Sequence, residues 1–263
     1  MKPGHVIFIG AGPGAADLIT LRGARFLAMA QVVLFDALTD PGLREFAPQA
    51  SWVDVGKRGF GHATGQTAIN AMLVREAQAH AVVVRLKGGD ANVFGRLEEE
   101  LQALAEAGIA CEVVPGVTAA LAAAADAQRP LTRRGSGRSV SLSTAMTRTG
   151  HLQGGRHADT EVFYMAGRQL GALSRALRAV GWADDTPAWV VSRAGWPDSL
   201  CSDHTVAGLA AAAVLHAGRP AVVCVGAGGR AVAAAHTAAG VAIQTTKTLG
   251  ADSMPAAQGA GAA

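Results

Sequence analysis

The sequence predicts a parallel, doubly wound α/β fold divided into two domains, and three observations carry that prediction. Short apolar, β-prone runs alternate with segments of helical periodicity through the first half of the 263 residues. Two of those runs end in glycine-rich turns, GAGPG at 10–14 and GGD at 88–90. The composition then shifts near PGVT, residues 115–118, beyond which the alternation is less regular. The domains are therefore placed at 1–116, with a mainly parallel sheet, and 117–240, with an Ala/Gly-rich and disordered tail over 241–263.

Taken in order, HVIFI (5–9), VVLF (32–35), SWVDV (51–55), VVVRL (82–86) and CEVV (111–114) read as strands. Their near-continuous apolar character suits a sheet covered on both faces. Residues 20–30 and 67–79 carry apolar side chains near helical spacing. The clearest helix is 97–108, where Leu97, Leu101, Leu104 and Ala105 share a face, Glu98 to Glu100 mainly form a solvated one, and Gly108 is placed to cap the end. In the second half, 140–143, 161–165, 187–191 and 220–225 read as strands, and 170–181 and 204–215 as helices.

Charge and composition exclude several classes. A net charge of +3 and a pI near 9.0 are mildly basic, unlike the dense Lys/Arg face of a nucleic-acid binder, and suit a small polyanionic ligand. No apolar run reaches the roughly 18 residues that cross a bilayer, and the N-terminus enters a strand without a signal-peptide pattern, so the reading is cytoplasmic. Cys111, Cys201 and Cys224 lack a C-x-x-C spacing and the histidines lack H-E-x-x-H, so neither a disulfide framework nor a metal site is expected. Cys111 and Cys224 fall in strand-like runs and read as small core residues.

Gly10, Gly12 and Gly14, with Ala15, fit the dinucleotide pattern G-x-G-x-x-[G/A], and Asp36 ends the second strand where such enzymes keep a ribose-binding acid. A nicotinamide-dependent oxidoreductase is thus one reading. Pro13 opposes it, because a proline cannot donate an N–H to a pyrophosphate. No Gly-Lys-Ser/Thr follows, which excludes a nucleoside-triphosphate loop. Gly88, Gly89 and Asp90 then bring a second glycine-acid turn to the carboxyl end of a strand, over the same crevice. Backbone that a ligand can approach closely, beside a carboxylate, suits a positively charged sulfonium nucleoside better than a diphosphate.

Together these stretches resemble the uroporphyrinogen-III C-methyltransferases of the tetrapyrrole methylase family. The resemblance runs over about residues 5–226 and rests on GAGPG (10–14), VVLFDAL (32–38), VGKR (55–58), the region of His62 and Gln66, VRLKGGD (84–90), FGR (94–96), VVPGVT (113–118), PLT (130–132) and FYM (163–165). It implies a tetrapyrrole methylase-like pair of α/β domains with the active site in the cleft between them, S-adenosyl-L-methionine as methyl donor, no metal, and a homodimer. It also implies cofactor contacts at Pro13, Gly88, Gly89, Asp90, Val93, Thr118, Ala119, Met165 and Ala194, acid–base roles for Asp36 and Lys57, and substrate contacts at Arg96 and Glu99.

The substrate so implied is uroporphyrinogen III or a related tetrapyrrole, whose carboxylates Lys57, Arg58, Lys87, Arg96, Arg133 and Arg134 are available to pair. The chain departs from the family pattern at Ala91-Asn92 after GGD, at Leu97-Glu98 after FGR, at Arg133 in PLTRR, and at Ala145-Met146. Those changes leave methyl transfer in place and bear on the exact tetrapyrrole and the number of methylations.

Overall fold

The computed structural model describes residues 3–56, 65–145, 152 and 154–232. Two five-stranded sheets organise it. The first holds β1 (His5–Gly10), β2 (Val32–Phe35), β3 (Ser51–Asp54), β4 (Val82–Lys87) and β5 (Cys111–Val114) in the order β3-β2-β4-β1-β5. Every pair in it is parallel; Ile7 lies opposite Val84, and Val33 lies opposite Val84 on the other side. All five strands thus end at one edge, so the residues that follow β1, β2, β4 and β5 share one side of the molecule.

Helices α1 (Leu21–Leu27), α2 (Gln66–Ala79) and α3 (Leu97–Glu106) cover this sheet. Thr20 caps α1 by accepting a hydrogen bond from the Gly23 amide at 3.0 Å. The α2 stripe of Ile69, Leu73 and Ala77 packs with Leu97 and Leu104 of α3 against Val6, Phe8, Leu34 and Val83. As expected, Gly108 follows the end of α3 with φ +65°, and the Ile109 amide closes back on the Leu104 carbonyl at 2.9 Å.

The second sheet holds β6 (Val140–Thr144), β7 (Thr160–Tyr164), β8 (Pro187–Ser192), β9 (Leu200–Thr205) and β10 (Ala221–Gly226) in the order β6-β7-β10-β8-β9. Only β6–β7 is parallel; the other three pairings are antiparallel. Between the sheets in sequence lies α4 (Ala119–Asp126), and α5 (Leu170–Ala179) and the short α6 (Ala212–Leu215) follow. The α5 stripe of Leu170, Leu173 and Leu177 packs on Phe163, Val190 and Val223.

The structure corrects several expectations. Residues 204–215 are not one helix: His204 and Thr205 end β9, and a 3-10 turn over Ala207–Ala211 precedes α6. β9 was not foreseen because LCSDHT mixes polar and apolar residues, as an edge strand with an exposed face permits. α4 was missed because AALAAAAD has no polar contrast from which to read a period. Met165 lies beyond β7 with φ +57°, and Cys111 is exposed at the start of β5, whereas Cys224 is fully buried and burial pushes its thiol up to about 12. The expected tail over 241–263 lies outside the described residues.

Candidate active site

The loops after β1 and β4 are stitched together. Gly12 and Gly89 form an isolated bridge, with the Gly89 amide donating to the Gly12 carbonyl at 2.6 Å and the Gly12 amide to the Gly89 carbonyl at 3.2 Å. Asp90 fastens the next loop: one carboxylate oxygen accepts from the Gly116 amide at 2.7 Å, and the other from the Asn92 amide at 2.8 Å. Asp90 therefore ties the β4 loop to the β5 loop, and with the Gly12–Gly89 bridge three loops are held in register, a role its position in the sequence does not reveal.

The glycines divide into two kinds. A Cβ on Gly10 would lie 2.6 Å from the Gly116 backbone, and one on Gly14 would lie 2.5 Å from the Gly195 backbone. Those glycines exist so that main chains can touch. A Cβ on Gly88 would meet nothing closer than Leu38 Cβ at 3.7 Å, and Gly88 is exposed. Nothing inside the protein requires a glycine there, so the open side of residue 88 is a cradle that a side chain would fill and a ligand can occupy.

The second sheet brings its own strand ends to the β1 loop. Trp196 Nε1 donates to the Pro13 carbonyl at 3.1 Å and the Ala15 amide to the Gly195 carbonyl at 2.8 Å, so the β1 loop is fixed to the turn after β8. Ala194 is buried there, in the cluster that includes Ala120, Tyr164 and Trp189. Tyr164 Oη lies 2.8 Å from Thr118 Oγ1 and accepts from the Ala120 amide at 3.2 Å, which joins β7 to the start of α4. Burial pushes the Tyr164 hydroxyl above its ordinary range, and the bond to Thr118 partly offsets that. Its ring meets Phe94 edge-on with centroids 5.0 Å apart. Val93 packs against the buried cluster that includes Tyr164, and Met165, half-exposed, follows Tyr164 directly.

Four non-glycine residues at these strand ends and loops adopt left-handed backbone: Phe94 (φ +54°), Arg96 (+53°), Met165 (+57°) and Arg193 (+53°). Such conformations cost of order 1–2 kcal/mol each for an L-residue, and backbone strain of this kind gathers at functional sites.

Asp36 directly follows β2 with its carboxylate one-third exposed, and Arg85 Nη2 donates to its Oδ1 at 2.6 Å. Arg85, Lys87 and Glu100 are almost wholly buried behind it. Arg85 Nε donates to Glu100 Oε1 at 3.1 Å, and Lys87 Nζ to Glu100 Oε2 at 2.9 Å. Gln66 also donates to Glu100 Oε1, at 3.1 Å. Burial, with repulsion from Arg85, pushes the Lys87 amine below its ordinary range, against the pull of Glu100.

This cluster corrects two expectations. Lys87 is not a cleft cation for substrate carboxylates, because it faces inward to Glu100. Glu100 is not on a solvated face, because it replaces an apolar residue in the stripe between Leu97 and Leu104. The signal was present: Arg85 and Lys87, two apart on a buried strand, share a face and demand a buried counter-charge.

Arg96 forms a two-pronged pair with Glu99, both contacts at 2.7 Å, with both side chains about half exposed. Arg133 Nη2 donates to the Arg230 carbonyl, which ties it to the chain after β10, and Arg134 is exposed. Lys57, Arg58 and His62 lie outside the described residues. Among the described residues, no group of three or more His, Cys, Asp or Glu could hold a metal ion, and no helix is long and apolar enough to cross a membrane.

A parallel sheet whose carboxyl-edge loops are stitched beside an open glycine, with a second sheet docked on the first of those loops, has the architecture of an α/β enzyme with a small-molecule site. Residues 5–210 match the model of the tetrapyrrole (corrin/porphyrin) methylases, and the chain belongs to that family. It is 42% identical over 195 residues to a uroporphyrinogen-III C-methyltransferase of Pseudomonas aeruginosa, a match covering 73% of this chain and 80% of the relative. It is 43% identical over 198 residues to siroheme synthase 2 of Klebsiella pneumoniae, covering 72% of this chain but 42% of that longer protein. Among solved structures, the uroporphyrin-III C-methyltransferase of Thermus thermophilus complexed with S-adenosylhomocysteine superposes with a TM-score of 0.75 at 35% identity, covering 85% of this chain and 98% of that one.

Proposed function

We propose that this protein is an S-adenosylmethionine-dependent C-methyltransferase that methylates uroporphyrinogen III twice, giving precorrin-2 for sirohaem and cobalamin synthesis. The observation that carries the proposal is the Gly88 cradle, open on its outer side, in a loop bridged to that of Gly12, with Pro13 tied to Trp196 and Thr118 to Tyr164 nearby in the same loop system. Gly88, Gly89, Asp90, Val93, Ala119, Met165 and Ala194 complete the cofactor set. The relatives' names and the S-adenosylhomocysteine in the Thermus thermophilus complex support the same assignment.

S-adenosylmethionine supplies a methyl group already activated by the positive sulfur. The protein's work is therefore to align the reactants and exclude water. As the ring carbon bonds to the methyl, the carbon–sulfur bond breaks and the macrocycle becomes cationic. Loss of a ring proton restores neutrality. Asp36, with Oδ1 held by Arg85 and its carboxylate partly exposed, is the group placed to take that proton. Lys57 is assigned the companion acid–base role, and Arg96 and Glu99 the contact with the tetrapyrrole. We also read the two sheets as two domains divided near residue 116, and the enzyme as a cytoplasmic homodimer; the family resemblance supports both.

The test is an anaerobic assay with S-adenosylmethionine and uroporphyrinogen III, counting the methyl groups in the product by mass. Two added methyls are expected. Bound S-adenosylmethionine with no methylated product would transfer the assignment to another tetrapyrrole. Asp36→Asn should lower kcat by about 10²- to 10⁴-fold while cofactor affinity by calorimetry stays within about twofold. Equal loss of both would remove Asp36 from the acid–base role.

A further inference from the structure

Four charges stand in a row at the carboxyl end of β4, and only the first reaches solvent. Asp36 is one-third exposed, whereas Arg85 is 2%, Lys87 3% and Glu100 0% exposed. Two cations and two anions cancel. The joint between them is a single planar group: Arg85 Nε holds Glu100 at 3.1 Å, Nη2 holds Asp36 at 2.6 Å, and Nη1 is fixed by the Leu86 and Leu34 carbonyls at 3.1 and 3.4 Å. A guanidinium does not lose its proton, so it relays position and charge balance, not protons. Glu100 divides its two oxygens between Arg85 and Lys87. How strongly Arg85 draws on Asp36 thus depends on how fully Glu100 neutralises the two cations.

We propose that Glu100 and Lys87, neither of which reaches the cleft, are positioning residues for Asp36: through Arg85 they fix its carboxylate and leave Oδ2 turned to the substrate. The inference rests on the reading of Asp36 as proton acceptor given above. Among the described residues, the charged groups around Asp36 are Arg85 and Lys87 from β4, Glu100 from α3, and Asp54 at the end of β3, whose own carboxylate accepts from the Gly56 amide at 2.9 Å. Two substitutions that do not touch Asp36 must then act on it in opposite senses. Removing the Glu100 charge leaves an excess of positive charge and makes Asp36 a weaker base. Removing the Lys87 charge does the reverse. A merely structural role for either residue has no reason to produce opposite signs.

The experiment is kcat against pH for the wild type, Glu100→Gln, Lys87→Met and Asp36→Asn, with S-adenosylmethionine and uroporphyrinogen III as substrates. In parallel, the Asp36 carboxyl is followed by carbon-13 NMR in the free enzyme, its signal identified by its loss in Asp36→Asn. Glu100→Gln should move the acidic limb and the NMR midpoint down by about one pH unit, and Lys87→Met should move both up by about as much, with KM nearly unchanged. Midpoints that stay in place, or move the same way, overturn the proposal. Opposite NMR displacements with an acidic limb that survives Asp36→Asn would keep the coupling and overturn only the proton-acceptor reading. If Glu100→Gln does not fold, the charge-balanced double variant Glu100→Gln/Lys87→Met serves instead. Its midpoint should return toward the wild-type value relative to Lys87→Met, and failure to return overturns the coupling.

Discussion

At the end of β4, in the parallel sheet, the buried polar groups are ions: Arg85, Lys87 and Glu100, linked to Asp36. At the end of β8, in the mixed sheet, Ser192 and His216 are just as buried but form a hydrogen-bonded chain of a different kind. His216 Nδ1 lies 2.8 Å from Ser192 Oγ, His216 Nε2 lies 2.8 Å from Ser202 Oγ, and His204 Nε2 lies 2.7 Å from the same Ser202 oxygen. Burial pushes His216 below the ordinary histidine range, reinforced by His204 and Arg219, so its neutral form is favoured. The parallel sheet sets its buried ions behind a partly exposed carboxylate, whereas the mixed sheet keeps its own buried polarity among neutral side chains beside the turn that carries Arg193 and Ala194.

The sharpest way to break that contrast is to remove one member from each side. Glu100→Ala leaves two buried cations short of a counter-charge and should cost about 3–5 kcal/mol of stability, read as a large drop in the urea midpoint. His216→Ala leaves hydroxyls unpaired but no charge, and should cost about 1–3 kcal/mol. Equal losses would mean that the charges at β4 are better solvated than their burial implies.

That cluster also marks the limit of what the sequence discloses. The five parallel strands were legible because runs such as VVLF and VVVRL are nearly continuous in apolar residues, and α3 because its leucines recur at helical spacing. The candidate site positions came only from the family resemblance of GAGPG, GGD, PGVT and FYM. Local pattern could not say that Gly14 is there to meet Gly195, 181 residues later, or that Asp90 bonds Gly116, since both depend on how distant loops dock. Glu100 sat in a run of three glutamates, and periodicity alone cannot tell which of them turns inward without knowing where Arg85 and Lys87 lie.

A finer comparison lies within the loops of the parallel sheet. Gly10→Ala forces a Cβ to within 2.6 Å of the Gly116 backbone, so it should destabilise the fold by about 1–3 kcal/mol. Gly88→Ala meets only Leu38 Cβ at 3.7 Å and should change stability by less than about 0.5 kcal/mol. Calorimetry should nonetheless show weaker S-adenosylmethionine binding for Gly88→Ala, and unaltered binding would remove residue 88 from the cradle.

pH separates the two sheets without mutation. Because burial lowers the proton affinity of His216 and His204 in the folded protein, the unfolded chain takes up those protons first as pH falls below about 6.5. Their contribution is complete above that pH and is lost as pH drops through the folded values. Thermal melts should therefore show Tm falling on that side, and His216→Gln should flatten the slope. A slope that persists unchanged in the variant would assign it elsewhere.

The smallest effect concerns the strained residues that both sheets carry at their strand ends and loops. Arg96 and Arg193 share φ +53°, yet their side chains differ in attachment. Arg193 bonds Asp198 at 2.7 Å and lies over the Trp196 ring, 4.4 Å from its centroid. Arg96 has its pair with Glu99, half in solvent, which is worth at most about 1 kcal/mol. Replacing either by glycine relieves a left-handed backbone by about 1–2 kcal/mol. For Arg193→Gly the lost stacking and ion pair offset that gain, so Tm should not rise. For Arg96→Gly, where glycine is also acceptable as the cap of α3, the net should lie between zero and a gain of about 2 kcal/mol. A chain that keeps an arginine where glycine is as stable or more so keeps it for its side chain. KM for the tetrapyrrole should accordingly rise about tenfold, the equivalent of about 1.4 kcal/mol, in Arg96→Gly while Tm holds or increases. A fall in Tm with KM unmoved would make the Arg96–Glu99 pair a structural clasp instead.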